Sequence, residues 1–208
     1  TASSMNLSLL QFTAKTLGAW QGLSRNMLKQ TTIDVEAVIR QDMFLAIAAE
    51  IDRVSMNGSG SSNQPTGITY TSGVGTETFT TAQTPTWANV VNMETTVASA
   101  NALKGNLAYI VNPTLGGIAK QTPKISGVTA GMILENGEIN GYPAYYSTNA
   151  IKSTTKNIIF GNWAELMIGM WGGLEVVVDP YTYSRKNVIG MTAFQELDVQ
   201  TRHAASFV

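Results

Sequence analysis

The sequence contains no cysteine among its 208 residues, which excludes a disulfide framework, a redox-active thiol and a thiolate metal site. This composition fits a cytoplasmic product. The chain also has a single histidine, His203, which excludes a histidine-rich metal centre. A serine–histidine–aspartate arrangement would depend on His203 alone, and no G-x-S-x-G motif supports it. We therefore interpret His203 as a packed or surface residue and predict no catalytic residue, no metal site and no cofactor.

Charge is scarce as well. Charged residues make up 13% of the chain and the formal net charge is -1, whereas an average domain has about 25% charged residues. The 13 lysines and arginines are scattered along the sequence, unlike the clusters that grip nucleic-acid phosphates. No apolar run approaches the roughly 20 residues of a membrane span. We expect a soluble chain with no membrane partner and no sequence-specific DNA recognition.

The most prominent feature present is a long helix predicted over 34–56. Thr32 is positioned to cap its start, Asp34 and Glu36 place negative charge at the positive end of the helix dipole, and Glu36 pairs with Arg40 one turn later. Gly58 is predicted to end it in a left-handed conformation. At about 1.5 Å per residue the helix is roughly 34 Å long. Its apolar side chains point in many directions, so we expect it to be covered along much of its length.

A glycine-rich turn that includes Gly58, Gly60 and Gly67 follows this helix. Phosphate-binding loops lead into the amino terminus of a helix, where amides and the positive dipole end face the anion. Here the glycines follow a carboxyl terminus. We therefore interpret them as the end of the helix and not as a phosphate site.

Acidic residues give no catalytic site either. Glu135 and Glu138 flank a polar turn, so we interpret both as solvated. Asp42, Glu50 and Asp52 lie on different sides of one helix and are expected to pair with basic residues such as Arg40 and Arg53, or with neighbouring segments.

The rest of the chain mixes helix and strand patterns. A polar arm or exposed strand is predicted for residues 1–14, a brief helix after Ser24, a loop with one short strand near Thr76–Thr80, and a second helix from Thr84 and Pro85. Residues 122–140 are glycine-rich, and residues 163–171 are apolar and ambiguous. The remaining predicted elements are strands at 107–111, 142–146 and 157–160, a short helix capped by Asn112 and opened by Pro113, and a long hairpin from Leu174 to Val199 with a loop at 179–187. These patterns indicate an α+β domain.

Several short motifs occur in one order along the chain. They are S-R-N-M-L-K-Q from Ser24, I-D-V-E-A-V-I-R from Ile33, A-E-I-D-R-V-S-M-N-G-S-G-S-S-N-Q-P-T-G-I from Ala49, Y-I-V-N-P from Tyr109, G-Y-P from Gly141, I-F-G-N-W from Ile159, G-G-L-E-V-V-V-D-P-Y-T-Y from Gly172 and R-H-A-A-S-F-V from Arg202. Each motif is weak alone. Together they resemble the major capsid proteins of tailed phages, which have the Hong Kong 97 type fold.

The resemblance implies an α+β architecture with a long spine helix over 34–56, a peripheral-domain β-hairpin and an axial α/β domain. Residues 1–16 would be the remnant of an extended loop. The peripheral domain would comprise 17–78 and 173–200, and the axial domain 79–172 and 201–208. The amino-terminal arm and the outgoing loop strand of the family have no counterpart in this sequence. The resemblance thus implies a chain truncated at its amino terminus.

The same resemblance implies a non-enzymatic structural role in the virion capsid of a tailed phage or prophage, with assembly in the bacterial host cytoplasm. The expected partners are copies of the chain itself in pentamers and hexamers of an icosahedral shell, portal or head-decoration proteins, and packaged DNA contacted only non-specifically. An encapsulin-like bacterial nanocompartment shell protein is the alternative, and an enzyme of unknown class is a more distant one. We expect the segment 116–140 near a ring axis and the loop 179–187 near the junctions between rings.

Overall fold

The computed structural model of the chain describes residues 9–30, 34–79, 84–125, 127, 131–153 and 155–208. These residues form four α-helices and ten β-strands, in the order β1 (Lys15–Ser24), α1 (Arg25–Gln30), α2 (Val35–Asn57), α3 (Trp87–Ser99), β2 (Leu107–Val111), α4 (Pro113–Ala119), β3 (Leu134–Glu135), β4 (Glu138–Ile139), β5 (Tyr142–Tyr146), β6 (Ile151–Lys152), β7 (Thr155–Lys156), β8 (Ile158–Asn162), β9 (Leu166–Asp179) and β10 (Val188–Thr201). None of these helices is long and apolar enough to cross a lipid bilayer.

A three-stranded antiparallel sheet packs against one side of α2. Its strand order is β1-β10-β9, and the hairpin of β9 and β10 contains a bulge opposite Gln195. Alternate residues of a strand face opposite sides of its sheet. Met191 and Ala193 on β10 therefore point toward the helix, where they form a buried cluster with Met43 and Ile47. This contact fixes the long helix along the hairpin.

A five-stranded sheet of order β3-β4-β5-β2-β8 forms the second and larger core. Strand β2 runs parallel to β5 and antiparallel to β8. Helices α3 and α4 contribute apolar side chains to this core, and Tyr109 stacks on Phe160 with ring centroids 4.4 Å apart. The predicted strands at 107–111 and 142–146 are confirmed, and so is the cap of α4, where the Asn112 side chain accepts a hydrogen bond from the Thr114 amide.

The last residues of the chain extend this sheet beyond β8. Val208 and Phe160 exchange two backbone hydrogen bonds of 2.9 Å, and Phe207 is fully buried. Phe207 packs edge-on against Trp163 and contacts Met56 at the end of α2 and Ile68 in the loop that follows. The cluster around Phe207 therefore links the end of the long helix to the five-stranded sheet.

The ends of α2 differ from the prediction in two details. Asp34 is the amino-terminal cap, and its carboxylate accepts a hydrogen bond from the Ala37 amide, while Thr32 lies outside the described residues. Gly58 has φ -65° and ψ 132°, so the predicted left-handed conformation is wrong. A Cβ atom on Gly58 would lie 2.6 Å from the Val54 carbonyl oxygen and still closer to that of Pro65. The glycine is required by close backbone contact and not by a positive φ.

The expectation that α2 is covered along much of its length is also wrong. One stripe of α2 faces the sheet and its last turn, residues 54–56, is buried, but the outward side is exposed, including Val38, Phe44 and Leu45, which is 62% exposed. The sequence places apolar residues on several sides of this helix, whereas a single chain supplies only one packing surface. The exposed remainder is available to another molecule.

Three other local predictions differ from the structure. Helix α3 begins at Trp87, because Thr86 and Asn89 form a reciprocal capping box two residues after the predicted start. No strand forms over 76–79, and Thr80 lies outside the described residues. Residues 166–171 in the ambiguous apolar segment belong to β9, and the glycine-rich segment contains the short strands β3 and β4.

Candidate assembly surfaces

His203 lies on the surface, as the sequence interpretation proposed. Its Nδ1 is 2.8 Å from a carboxylate oxygen of Glu165, and the Arg202 guanidinium lies 4.0 Å from the same carboxylate. Among the described residues, no serine belongs to this group of contacts. The arrangement joins the carboxyl-terminal segment to the start of β9 and resembles a surface ion pair, not a nucleophilic triad.

Among the acidic residues weighed as candidates, Glu135 and Glu138 are cross-strand partners on β3 and β4, but both are exposed. Glu50 pairs with Arg53, as predicted, and Glu135 lies 3.8 Å from Lys124. Glu36 forms the predicted pair with Arg40 at 2.7 Å. Over the described ranges, no group of three or more histidine, aspartate or glutamate side chains converges closely enough to hold a metal ion. The described residues contain no buried pair of carboxylates.

Large apolar side chains are exposed in many places, among them three surfaces formed by α2, by the three-stranded sheet and by the loop between β9 and β10. The first is the outward side of α2 described above. Large exposed apolar patches on soluble proteins typically mark sites of protein contact. The helix surface therefore indicates an interface.

The second surface is the face of the three-stranded sheet that points away from α2, which we call the outer sheet face. It carries Trp20, which is 55% exposed, together with Trp171, Val177 and Phe194. On β10, Phe194 is paired with Glu175 of β9, and Glu196 is paired with Trp171. Aromatic rings and carboxylates therefore alternate on one open face.

The third surface is the loop between β9 and β10, residues 180–187, which we call the hairpin loop. Asp179 orders its start by accepting hydrogen bonds from the Tyr181 amide at 2.9 Å and from the amide and hydroxyl of Thr182. These bonds, the Thr182 hydroxyl first, hold the pKa of Asp179 below its usual value. Arg25 donates to the Pro180 carbonyl oxygen at 2.6 Å. The loop is thus ordered by its neighbours while Tyr181 remains 82% exposed.

The turn between β4 and β5 is ordered by Glu94 of α3. Its carboxylate accepts hydrogen bonds from the Asn140 side chain and from the Tyr142 hydroxyl at 2.9 Å, which ties the β4–β5 turn to the helix. Nearby, burial raises the pKa of the Tyr109 hydroxyl, which has no hydrogen-bond partner among the described residues. Tyr145 and Tyr146 are exposed on β5. The five-stranded sheet therefore also carries exposed aromatic side chains.

Comparison with known proteins identifies the family. The model of the phage capsid family matches residues 1–208. The chain belongs to the phage capsid family. The resemblance seen in the sequence is thereby confirmed.

A curated relative, the major capsid protein of Halomonas phage phiHAP-1, is 29% identical over 205 residues, and the match covers 99% of this chain and 33% of that protein. The chain thus spans a third of the length of this relative.

Two solved structures are similar in fold. The capsid of the native GTA particle gives a TM-score of 0.73 at 16% identity over 99% of this chain and 78% of that one. The structure from Gordonia phage Cozz gives 0.70 at 17% identity over 100% of this chain and 77% of that one. The phage capsid family member described here has the Hong Kong 97 type fold, and the α+β prediction is confirmed.

Sequence reasoning missed the outer sheet face and the exposed side of α2. The alternation of apolar residues in β9 and β10 predicted that one side of each strand faces the core. The sequence also places apolar residues on the other side of these strands. Strands with apolar residues on both faces indicate a sheet that is covered on both faces. That pattern in Trp20, Val177 and Phe194 was the available signal.

Proposed function

We propose that this chain is the structural subunit of a tailed-phage capsid and assembles with copies of itself into pentamers and hexamers of an icosahedral shell that encloses DNA. The match to the phage capsid family over the whole chain is the observation that carries the proposal. The same match favours the phage capsid over the encapsulin-like compartment. In this proposal the chain is found in the virion capsid, assembles in the host cytoplasm, and is not an enzyme.

The exposed surfaces support self-association. Shell subunits make heterologous contacts, in which different surfaces of identical copies meet and the rotation closes into rings. Such a subunit needs several interfaces on one chain. The outward side of α2, the outer sheet face and the hairpin loop are three apolar or aromatic surfaces that a monomer leaves open.

We propose a division of the chain into an extended-loop remnant over 1–16, a peripheral domain over 17–78 and 173–200, and an axial domain over 79–172 and 201–208. The separate cores of the two sheets support it. In the shell, the segment 116–140 lies near a ring axis and the loop 179–187 lies near the junctions between rings. Portal and head-decoration proteins and non-specifically held DNA complete the set of proposed partners.

Electron microscopy of the purified chain tests the proposal. We expect rings or closed shells, and native mass spectrometry of disassembled material should give pentamers or hexamers. A chain that stays monomeric at every concentration at which it is soluble would contradict the assembly role. Particles in which the segment 116–140 is enclosed within one subunit would contradict the proposed orientation.

A further inference from the structure

Two cations without an ion pair among the described residues lie on the hairpin loop. Most lysines and arginines of the described residues have a partner, such as the pairs Arg40–Glu36 and Arg53–Glu50. Arg185 and Lys186 are exposed on the loop with no ion pair among the described residues, and Lys29, equally exposed, lies on α1. Helix α1 is joined to the loop through a hydrogen bond from the Arg25 amide to the Asn187 carbonyl oxygen at 2.9 Å. The loop therefore presents a tyrosine and two cations on an ordered backbone.

The outer sheet face presents the complementary chemistry. Glu175 and Glu196 are exposed, and neither forms an ion pair within the described ranges. They flank a shallow depression that also includes Trp171 and Phe194. Two unpaired carboxylates on one face repel each other, and aromatic rings beside them favour a cation with an apolar stem. Arginine and lysine side chains meet both requirements.

The bulge in the hairpin leaves room for an incoming side chain at this depression. Gln195 is buried and donates hydrogen bonds to the carbonyl oxygens of Trp171 and Glu196, which hold the bulged backbone in place. Gly172 and Gly173 lie opposite, and a Cβ atom on either would meet no heavy atom of the described residues within 4 Å. The depression is thus both open and supported from below.

The loop and the depression of one chain cannot meet. Both belong to the same rigid hairpin, and Phe194 lies six residues along β10 from the loop, about 20 Å at 3.3 Å per residue. We propose that the hairpin loop of one copy docks on the outer sheet face of a second copy, with Arg185 and Lys186 against Glu175 and Glu196 and Tyr181 against the aromatic rings. This inference rests on the proposed function and assigns one of its heterologous contacts.

A charge exchange tests the contact. We expect Glu175→Lys with Glu196→Lys to weaken self-association about tenfold or more, as measured by analytical ultracentrifugation, because four like charges then meet at the interface. Arg185→Glu with Lys186→Glu should weaken it similarly. Mixing the two variants, or combining all four changes in one chain, should restore association. The changed side chains are exposed, so circular dichroism should show an unaltered fold for each variant.

The matched control is Asp52→Lys, which reverses another exposed carboxylate, on α2, that has no ion pair within the described part of the chain. It should not restore association to the chain that carries Arg185→Glu and Lys186→Glu. Since the sequence has no cysteine, a second test mixes a Tyr181→Cys copy with a Gly173→Cys copy. We expect a disulfide-linked heterodimer on mild oxidation. A mixture of Tyr181→Cys and Ser99→Cys copies should give none.

The failures are distinguishable. A wild-type chain that associates equally well after the glutamate reversals, or whose charge exchange does not restore association, overturns the docking contact and leaves the capsid role standing. If Asp52→Lys restores association to the chain that carries Arg185→Glu and Lys186→Glu, the contact is not specific, and the proposal is overturned in that respect. A wild-type chain that does not associate at all overturns both the contact and the proposed function.

Discussion

Replacing Gly58 with alanine tests why a glycine stands where α2 ends. The backbone at Gly58 has φ -65° and ψ 132°, a conformation that any L-residue adopts without strain. The new methyl group would instead meet backbone oxygens, 2.6 Å from that of Val54 and closer still to that of Pro65. A glycine that is needed for a left-handed conformation and a glycine that is needed for close backbone contact thus predict different changes in stability on substitution.

The expected cost follows from what surrounds the methyl group. Overpacking of a well-packed site costs about 1–3 kcal/mol. Neither oxygen can retreat freely, because the loop is held by hydrogen bonds from the Gly67 amide to the Gly58 carbonyl at 2.9 Å and from the Gly60 amide to the Pro65 carbonyl at 3.1 Å. We expect a loss of about 3 kcal/mol in the free energy of unfolding, or about 6–12 °C in Tm for a chain of this size.

Thermal unfolding followed by circular dichroism, with Gly58→Ala, Gly58→Asn and Gly117→Ala in parallel, provides the measurement. Gly117 lies in α4, where an added Cβ atom would meet no heavy atom of the described residues within 4 Å. The Gly117→Ala variant should therefore have an unchanged or higher Tm, because alanine has a higher helix propensity than glycine. Asparagine adopts the left-handed conformation readily. A Gly58→Asn variant with wild-type Tm beside a destabilised Gly58→Ala variant would refute the close-contact explanation.

Three further predictions follow from buried and hydrogen-bonded groups. Ile47→Asp should abolish cooperative unfolding, because Ile47 is 4% exposed and a buried unpaired charge costs several kcal/mol. The control variant Leu45→Asp, on the open side of α2, should retain the fold when measured by circular dichroism. Tyr109→Phe should leave the urea midpoint unchanged or raise it, since the deleted hydroxyl is buried without a partner among the described residues; a lower midpoint would contradict this. Hydrogen bonds from Asn89 and then Asn92 lower the pKa of Glu77, so its contribution to stability is present above its unfolded pKa and lost as the pH falls through the folded pKa. Glu77→Gln should therefore lose less Tm than wild type between neutral and acidic pH, and equal losses would contradict the assignment.

Much of the fold could be predicted because its local patterns agree with its tertiary contacts. The helix over 34–56, the strand at 107–111 and the cap at Asn112 need only neighbouring residues to form, and the structure has them within a residue or two. The start of α3 was misplaced because Thr84 and Pro85 and the actual cap, Thr86, are all good starting residues. Local chemistry offered several starting residues there, and the reciprocal capping box of Thr86 and Asn89 selected one.

The sequence by itself determined the α+β class, the long helix, the long hairpin and the lack of cysteine and histidine sites, because periodicity and composition are properties of the chain. Only the tertiary structure decided which side of α2 is buried, since that depends on where the sheet lies. It also showed that Gly58 is required because two backbone segments pack closely there, since the nearest oxygen belongs to Pro65 in the next loop. Segments that are far apart in the sequence meet at the hairpin loop in the same way. The fold brings Arg25 and Asn26 of α1 against Asn187 of the loop, more than a hundred positions away along the chain.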